Sequence, residues 1–227
     1  MGLNVSKGNM YDWVTHTWNT IKGKCPHRCS YCYMSKWGMQ KPPRFDEKEL
    51  KTDLGSDNFI FVGSSCDLFA KDIPEKWIID TLNYCRNFNN SYLFQTKNPT
   101  GFIHFIDDLL TDSDKLSPYS VICTTIETNR YYIEMGIAPL VADRAEAMDR
   151  LQLAIPTYVT IEPIMDFDLN ELVRLINQCH PERVNIGADS CGKKLTEPPK
   201  GKILELIEAL EEFTTVKQKS NLKRLLK

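Results

Sequence analysis

Three cysteines, Cys25, Cys29 and Cys32, lie close together in a C-x3-C-x2-C spacing. In a chain of 227 residues with no evident export segment, clustered thiolates read as metal ligands rather than a disulfide framework. Three thiolates on one tight loop can each bind a different iron of a [4Fe-4S] cube, which leaves the fourth iron without a protein ligand. An open metal position is what chemistry requires, and catalytic zinc sites keep one for the same reason. Structural zinc is the alternative, because His27 lies between the cysteines. His27 is, however, only two residues from each neighbour, which cramps joint tetrahedral ligation. No second C-x2-C pair exists to complete a zinc ribbon. The other five cysteines, Cys66, Cys85, Cys123, Cys179 and Cys191, are scattered. Cys85, Cys123 and Cys179 fall inside expected elements and read as core.

The elements that must position this loop follow from hydrophobic patterning. Asn58 to Gly63, Ser91 to Thr96, Ser120 to Ile126, Thr157 to Ile161 and Arg183 to Gly187 are short β-rich runs. Between them, helical patterns run over Pro74 to Asn87, Gly101 to Leu110, Ala138 to Leu153, Leu169 to Cys179 and Lys202 to Glu212. Trp18 to Ile21 is a candidate first strand, with Glu47 to Leu54 as its helix. About six βα units point to a parallel sheet with helices outside. The sheet is either open and doubly wound or a partial (β/α) barrel. In both, reactive residues sit at the carboxyl ends of strands. Each strand here ends in polar residues: Ser64, Ser65 and Asp67, then Lys97, Glu127, Glu162 and Asp189. Five such endings in succession suggest a shared polar rim.

The balance of 42% hydrophobic and 26% charged residues is that of a globular domain. A net charge of −2 gives no global sign of a nucleic-acid binder. No apolar run approaches the ~20 residues of a membrane span, and residues 1–13 show no signal-peptide pattern. A cytoplasmic protein without a membrane partner is expected. The chain reads as one domain over residues 1–227, with a core of about 18–212, a short N-terminal extension and a basic C-terminal tail. Its oligomeric state is open.

With the cysteine spacing, the aromatic Tyr31 immediately before the third cysteine and the βα alternation in place, the sequence resembles the radical S-adenosylmethionine (SAM) superfamily. The resemblance covers nearly the whole of residues 18–212 and implies a partial (β/α)6 TIM-like barrel. It also implies a [4Fe-4S] cluster on Cys25, Cys29 and Cys32, whose open iron is chelated by SAM. One electron from an external reductant of flavodoxin or ferredoxin type then cleaves SAM to a 5′-deoxyadenosyl radical, which abstracts a substrate hydrogen. The cofactors carry the hard chemistry, and the protein orients and shields them.

The resemblance gives the rim provisional roles. Superfamily members place a polar motif that receives the SAM amino group after the second strand. Here that place is Gly63-Ser64-Ser65-Cys66-Asp67 rather than the commoner Gly-Gly-Glu, so Ser64, Ser65 or Asp67 could serve. Tyr31 belongs with the cofactor, Lys97 suits a carboxylate or phosphate, and Glu127 or Asn129 could bind the ribose or carboxylate region. Glu162, Asp189 and Ser190 could meet substrate or SAM. Cys191 could return a hydrogen atom to a product radical. The bland alternatives are a polar turn, a solvated lysine, helix-capping carboxylates and a small semi-buried thiol.

Shorter strings narrow the likeness: Trp18-Asn19, FVGSSCDLF, FQTKNP, TTIETN, TIEPI and NIGAD. They look like a compact phage-encoded group, distantly similar to DNA photoproduct lyases. Some of its members resemble isomerases that move an aminoacyl group on thymine from nitrogen to carbon attachment in hypermodified phage DNA. DNA is accordingly an expected partner. Trp13, Arg28, Tyr33, Lys36, Trp37, Lys41 and Arg44 could stack bases or meet phosphates. The alternatives are a radical SAM enzyme acting on a small molecule or peptide, a DNA-lesion lyase, and a non-enzymatic zinc module.

Overall fold

A computed structural model of the chain describes residues 2–38, 40–111 and 120–227, with 107–111 described by backbone alone. In chain order the elements are β1 (Asn4–Val5), β2 (His16–Trp18), β3 (Ile21–Lys22), β4 (Arg44–Phe45), β5 (Phe59–Val62), α1 (Glu75–Arg86), β6 (Ser91–Thr96), α2 (Pro99–Thr111), β7 (Val121–Thr125), α3 (Val141–Leu151), β8 (Thr157–Ile161), α4 (Leu169–Gln178), β9 (Arg183–Ile186), α5 (Lys200–Glu211) and β10 (Thr215–Gln218). Strands β2, β5, β6, β7, β8, β9 and β10 pair in that order, all parallel, and β1 adds antiparallel at the β2 edge. This is the expected partial (β/α) barrel. Among the described residues no helix is long and apolar enough to cross a membrane.

Buried strands of a parallel sheet read as continuous apolar runs; β5 (FIFV) does so throughout, and β6 to β9 each carry an apolar centre with polar residues interleaved or at their ends. Their outer face carries Ile60, Val62, Tyr92, Phe94, Val159 and Ile186 into the main core with helical residues such as Leu82, Met148 and Leu172. The opposite, inner face is filled from an unexpected source. Tyr11 and Val14, between β1 and β2, pack on Leu93, Val121 and Cys123, with Trp13 beside them. The Trp13 ring lies edge-on to Phe59 at 4.5 Å and to Tyr158 at 5.3 Å. The supposed N-terminal extension is thus a plug in the barrel.

Three sequence expectations are corrected. The first parallel strand is His16–Trp18 rather than Trp18 to Ile21. Ile21 instead begins the separate β3–β4 ribbon. Glu47–Lys51 is a 3-10 turn, not an α-helix. The basic C-terminal tail is a seventh parallel strand followed by a 3-10 turn at Ser220–Arg224, whose Leu222 is fully buried. The β10 sequence TVKQ is polar and mostly exposed, as an edge strand is allowed to be, so it carries no apolar signal.

Candidate active site

The β3–β4 ribbon fastens both ends of the segment that carries the cysteines, pairing Ile21 with Phe45 and Lys22 with Arg44. Within it, Arg28 N donates to Cys25 O at 3.3 Å, Cys32 N to Cys29 O at 3.2 Å and Ser35 N to Cys32 O at 3.0 Å. Successive tight turns therefore carry the three thiols, and Arg28 takes the left-handed conformation, φ 57°, between two of them. A 3-10 turn at Ile133–Met135 backs the loop. Ser30 N donates to Glu134 O, Ile137 N to His27 O, and Cys29 Sγ lies 3.2 Å from Met135 O. Gly136 makes this approach possible: its φ is +70°, and a Cβ there would stand 2.2 Å from His27 O.

The donor set fits a cluster. All three cysteines are free and half-buried. Three thiols on one loop suit a cube, which takes each thiolate on a separate iron. The Cys25 thiol is lowered to about 6, chiefly because Cys66 hydrogen-bonds to it, and Cys66 is pushed up in return. Burial raises Cys29 and Cys32, an effect that a bound metal overcomes by deprotonating its thiol ligands.

Two carboxylates, one buried and one nearly so, tie this loop to the strand ends. Asp67 Oδ2 accepts from His27 Nε2 at 2.7 Å, Thr96 Oγ1 at 3.0 Å and Lys97 N at 2.8 Å, and Oδ1 accepts from Phe69 N. Burial alone would raise Asp67, but the His27 charge and these donors hold it below its ordinary value. Glu127, just past β7, is fully buried. Its Oε1 takes bonds from the Tyr31 hydroxyl and Lys97 Nζ, and its Oε2 takes one from Arg144 Nη1 at 2.9 Å. Lys97 Nζ also reaches the Tyr31 oxygen at 3.0 Å. Burial opposes the charge on Glu127, yet Arg144 and Lys97 outweigh it and lower the group to about 2.

Ser64 and Ser65 are organised by Asn19, whose Oδ1 accepts from Ser65 N at 2.8 Å and Ser65 Oγ at 2.9 Å and meets Ser64 Oγ at 3.2 Å. Tyr33 donates to Ser64 O. Asn129 is turned toward the loop after β8, where it exchanges bonds with Asp168. Asp189 accepts from the amides of Cys191 and Lys193 and so shapes the loop that carries Cys191.

The far side of the mouth holds residues that the motifs did not reveal. Glu162 receives Asn9 Nδ2 at 2.8 Å, Asn221 Nδ2 at 2.8 Å and Lys219 Nζ at 2.6 Å. Arg224 pairs with Glu197, which in turn accepts from Asp189 N. Lys36, from the turn after Cys32, crosses the mouth to Ser190 O at 2.9 Å. The structure thus brings the cysteines, Tyr31, Ser64, Ser65, Asp67, Lys97, Glu127, Glu162, Asp189 and Cys191 to one end of the barrel. Arg144 carried a usable signal: it interrupts the apolar stripe of Val141, Met148 and Leu151 on α3, where a charge must be paired. Lys219 and Arg224 belong to a basic C-terminal stretch that reads as a candidate phosphate contact, and the structure pairs them with Glu162 and Glu197 instead; Asn221 carried no signal. A cleft of about 1060 Å³ outside the barrel, between the cysteine loop and the starts of α1 and α2, meets this site at its edge, where Pro26, His27 and Phe69 line it.

No family model matches the chain, and no curated protein does. Solved structures do match. One spore photoproduct lyase mutant aligns with a TM-score of 0.65 at 13% identity, covering 94% of this chain and 80% of that one. A second aligns at 0.63 and 12% identity, covering 95% and 80%. A third, with bound AdoMet and dinucleoside spore photoproduct, aligns at 0.55 and 13% identity, covering 92% and 66%. At such identity the likeness is one of fold: this chain has the fold of spore photoproduct lyase.

Proposed function

We propose that this protein is a radical SAM enzyme that acts on a modified thymine in DNA. The observation that carries the reading is a half-buried C-x3-C-x2-C loop held at the carboxyl end of a partial barrel by paired carboxylates, with Lys97 and the seryl turn beside it. When bound, a [4Fe-4S] cluster on Cys25, Cys29 and Cys32 supplies the electron that cleaves SAM. The chain's own part is to hold and shield. Lys97 offers a cation to the SAM carboxylate. Ser64 and Ser65, set by Asn19, offer hydroxyls to its amino group. An external one-electron reductant of flavodoxin or ferredoxin type completes the system.

For the substrate, the surface around the cysteines is informative. Residues 22–44 hold six Lys or Arg and no Asp or Glu, in a chain of net charge −2. Lys24, Arg28, Lys36, Lys41 and Arg44 are all exposed, and Trp37 and Tyr33 stand out at 74% and 46% exposure among them. Exposed cations with interleaved aromatics suit a phosphate backbone and an unstacked base. An enzyme working on a base must draw it out of the stack. The reaction we favour abstracts a hydrogen from the α-carbon of an aminoacyl group on thymine and shifts that group from nitrogen to carbon attachment, so substrate and product share one composition. A lyase acting on a DNA lesion is the second reading, favoured by the likeness to spore photoproduct lyase.

The test is SAM cleavage by reconstituted protein with and without DNA carrying the aminoacyl thymine, followed by mass spectrometry of the nucleosides. Stimulated release of 5′-deoxyadenosine and a product of unchanged mass but new retention support the isomerase. Cleavage indifferent to DNA sinks the DNA reading and leaves a small-molecule or peptide substrate.

A further inference from the structure

Glu127 has two cationic partners of different kinds. Arg144 is enclosed: its side chain and that of Glu127 are both 0% exposed. It is fixed at three points, with Nη1 donating to Glu127 Oε2 at 2.9 Å and Thr125 O at 2.8 Å, and Nε donating to Pro139 O at 2.8 Å. Its Nη2 is buried without a partner, so donor capacity remains there in reserve. Lys97 sits at the mouth, 16% exposed, with Nζ 5.1 Å from the centre of the Tyr31 ring. Its flexible stem can swing, whereas the guanidinium fork cannot.

We propose that Arg144 is a positioning residue, the permanent counter-ion of Glu127 that frees Lys97 to leave Glu127 for an anionic group of a ligand at the barrel mouth. The inference rests on the radical SAM reading for the identity of that ligand. The physical reason is the asymmetry of buried charges. Were Lys97 the only partner, drawing it toward a ligand would strand an ionised carboxylate in the protein interior, which is strongly unfavourable. With Arg144 in place, Glu127 keeps a partner on Oε2 and continues to hold the Tyr31 hydroxyl, and through it the cysteine loop. The same pairing keeps Lys97 parked when no ligand is present.

Arg144 lies on α3, away from the rim, and among the described residues its hydrogen bonds to strand-end groups go to Glu127 and the Thr125 carbonyl. A merely structural role would weaken every ligand alike. The proposed role weakens only ligands that bear the anion.

The experiment is equilibrium dialysis of reconstituted, unreduced protein with two probes, SAM, which carries a carboxylate, and 5′-methylthioadenosine, which does not. In Arg144→Met the affinity for SAM is expected to fall about tenfold or more, because Lys97 becomes the sole partner of a buried carboxylate. Affinity for 5′-methylthioadenosine is expected to change less than about twofold. Arg144→Lys restores SAM binding in large part. Because Arg144→Met leaves Glu127 with one cation in place of two and also removes the bonds from α3 to Thr125 O and Pro139 O, it can fail to fold; the Arg144→Met/Glu127→Gln double variant removes both charges, releases Lys97 and regains SAM affinity. Equal loss of both probes in the folded variants, or no loss of either, overturns the inference while leaving the radical SAM reading intact. Wild-type protein that binds no SAM overturns both.

Discussion

The two sides of the barrel mouth are built from the same chemistry at different depths. On the cysteine side, Glu127 is buried and Asp67 is nearly so, its side chain 9% exposed, and the partners described for them come from strand ends and their loops, the cysteine loop or a packed helix. On the terminal side, Glu162 and Glu197 are paired with Lys219 and Arg224 from the last residues of the chain, and these pairs are partly open to solvent. Burial makes the first set intolerant of change, because an ion stripped of its partner there has no water to turn to. Exposure makes the second set adjustable. The cysteine side is thus a fixed mount, and the terminal side is the more adjustable of the two.

The contrast breaks or holds on paired substitutions. Arg144→Met is expected to lower unfolding free energy by about 3–5 kcal/mol, the range for removing one member of a buried ion network, here together with its bonds to Thr125 O and Pro139 O. Lys219→Met, at a pair 10% and 17% exposed, is expected to cost roughly 1–3 kcal/mol. Urea denaturation of both measures the ratio, and equal losses would erase the distinction between the two sides.

Acid sharpens the same point. Glu127 is lowered from 4.5 to about 2, so it binds protons more readily when unfolded. Its contribution to stability is complete above about 4.5 and is lost as pH falls toward about 2. That contribution is on the order of 3 kcal/mol. Denaturation midpoints of cluster-free protein between these pH values should fall more steeply in wild type than in Glu127→Gln. Parallel curves contradict the buried pairing.

The smallest contrast uses two glycines in the left-handed region. Gly192, on the terminal side, has φ +65° and open space around its missing Cβ, whereas Gly136 has φ +70° and backbone at 2.2 Å. Gly192→Ala is expected to cost about 1–2 kcal/mol from conformation alone. Gly136→Ala adds a collision with the cysteine loop, so it should cost more and also lower iron retention. Full iron retention in Gly136→Ala would show that the loop does not depend on this contact.

What was legible in the sequence follows the same division. Strands β5 to β9 are largely buried and carry β-branched or aromatic residues, so they and their polar ends Ser64, Lys97, Glu127, Glu162 and Asp189 could be read directly. The cysteine spacing is a local signal. Tyr11 and Trp13 could not be assigned to the barrel interior, because their partners Leu93 and Tyr158 lie far along the chain. Lys219 and Asn221 reach Glu162 only because β10 adds to the sheet, and an exposed edge strand leaves no hydrophobic pattern. Asn129 and Asp67 looked like free ligands from sequence. The structure gives Asn129 to Asp168, and Asp67 to four protein donors.

The central claim is that Cys25, Cys29 and Cys32 hold a redox-active cluster, and anaerobic reconstitution with iron and sulfide tests it most directly. Wild-type protein should bind about four irons per chain, as a cube requires, and release 5′-deoxyadenosine from SAM once dithionite is added. Cys29→Ala should lose both. A folded wild-type protein that takes up zinc instead and never cleaves SAM, or a Cys29→Ala protein that still does, contradicts the account.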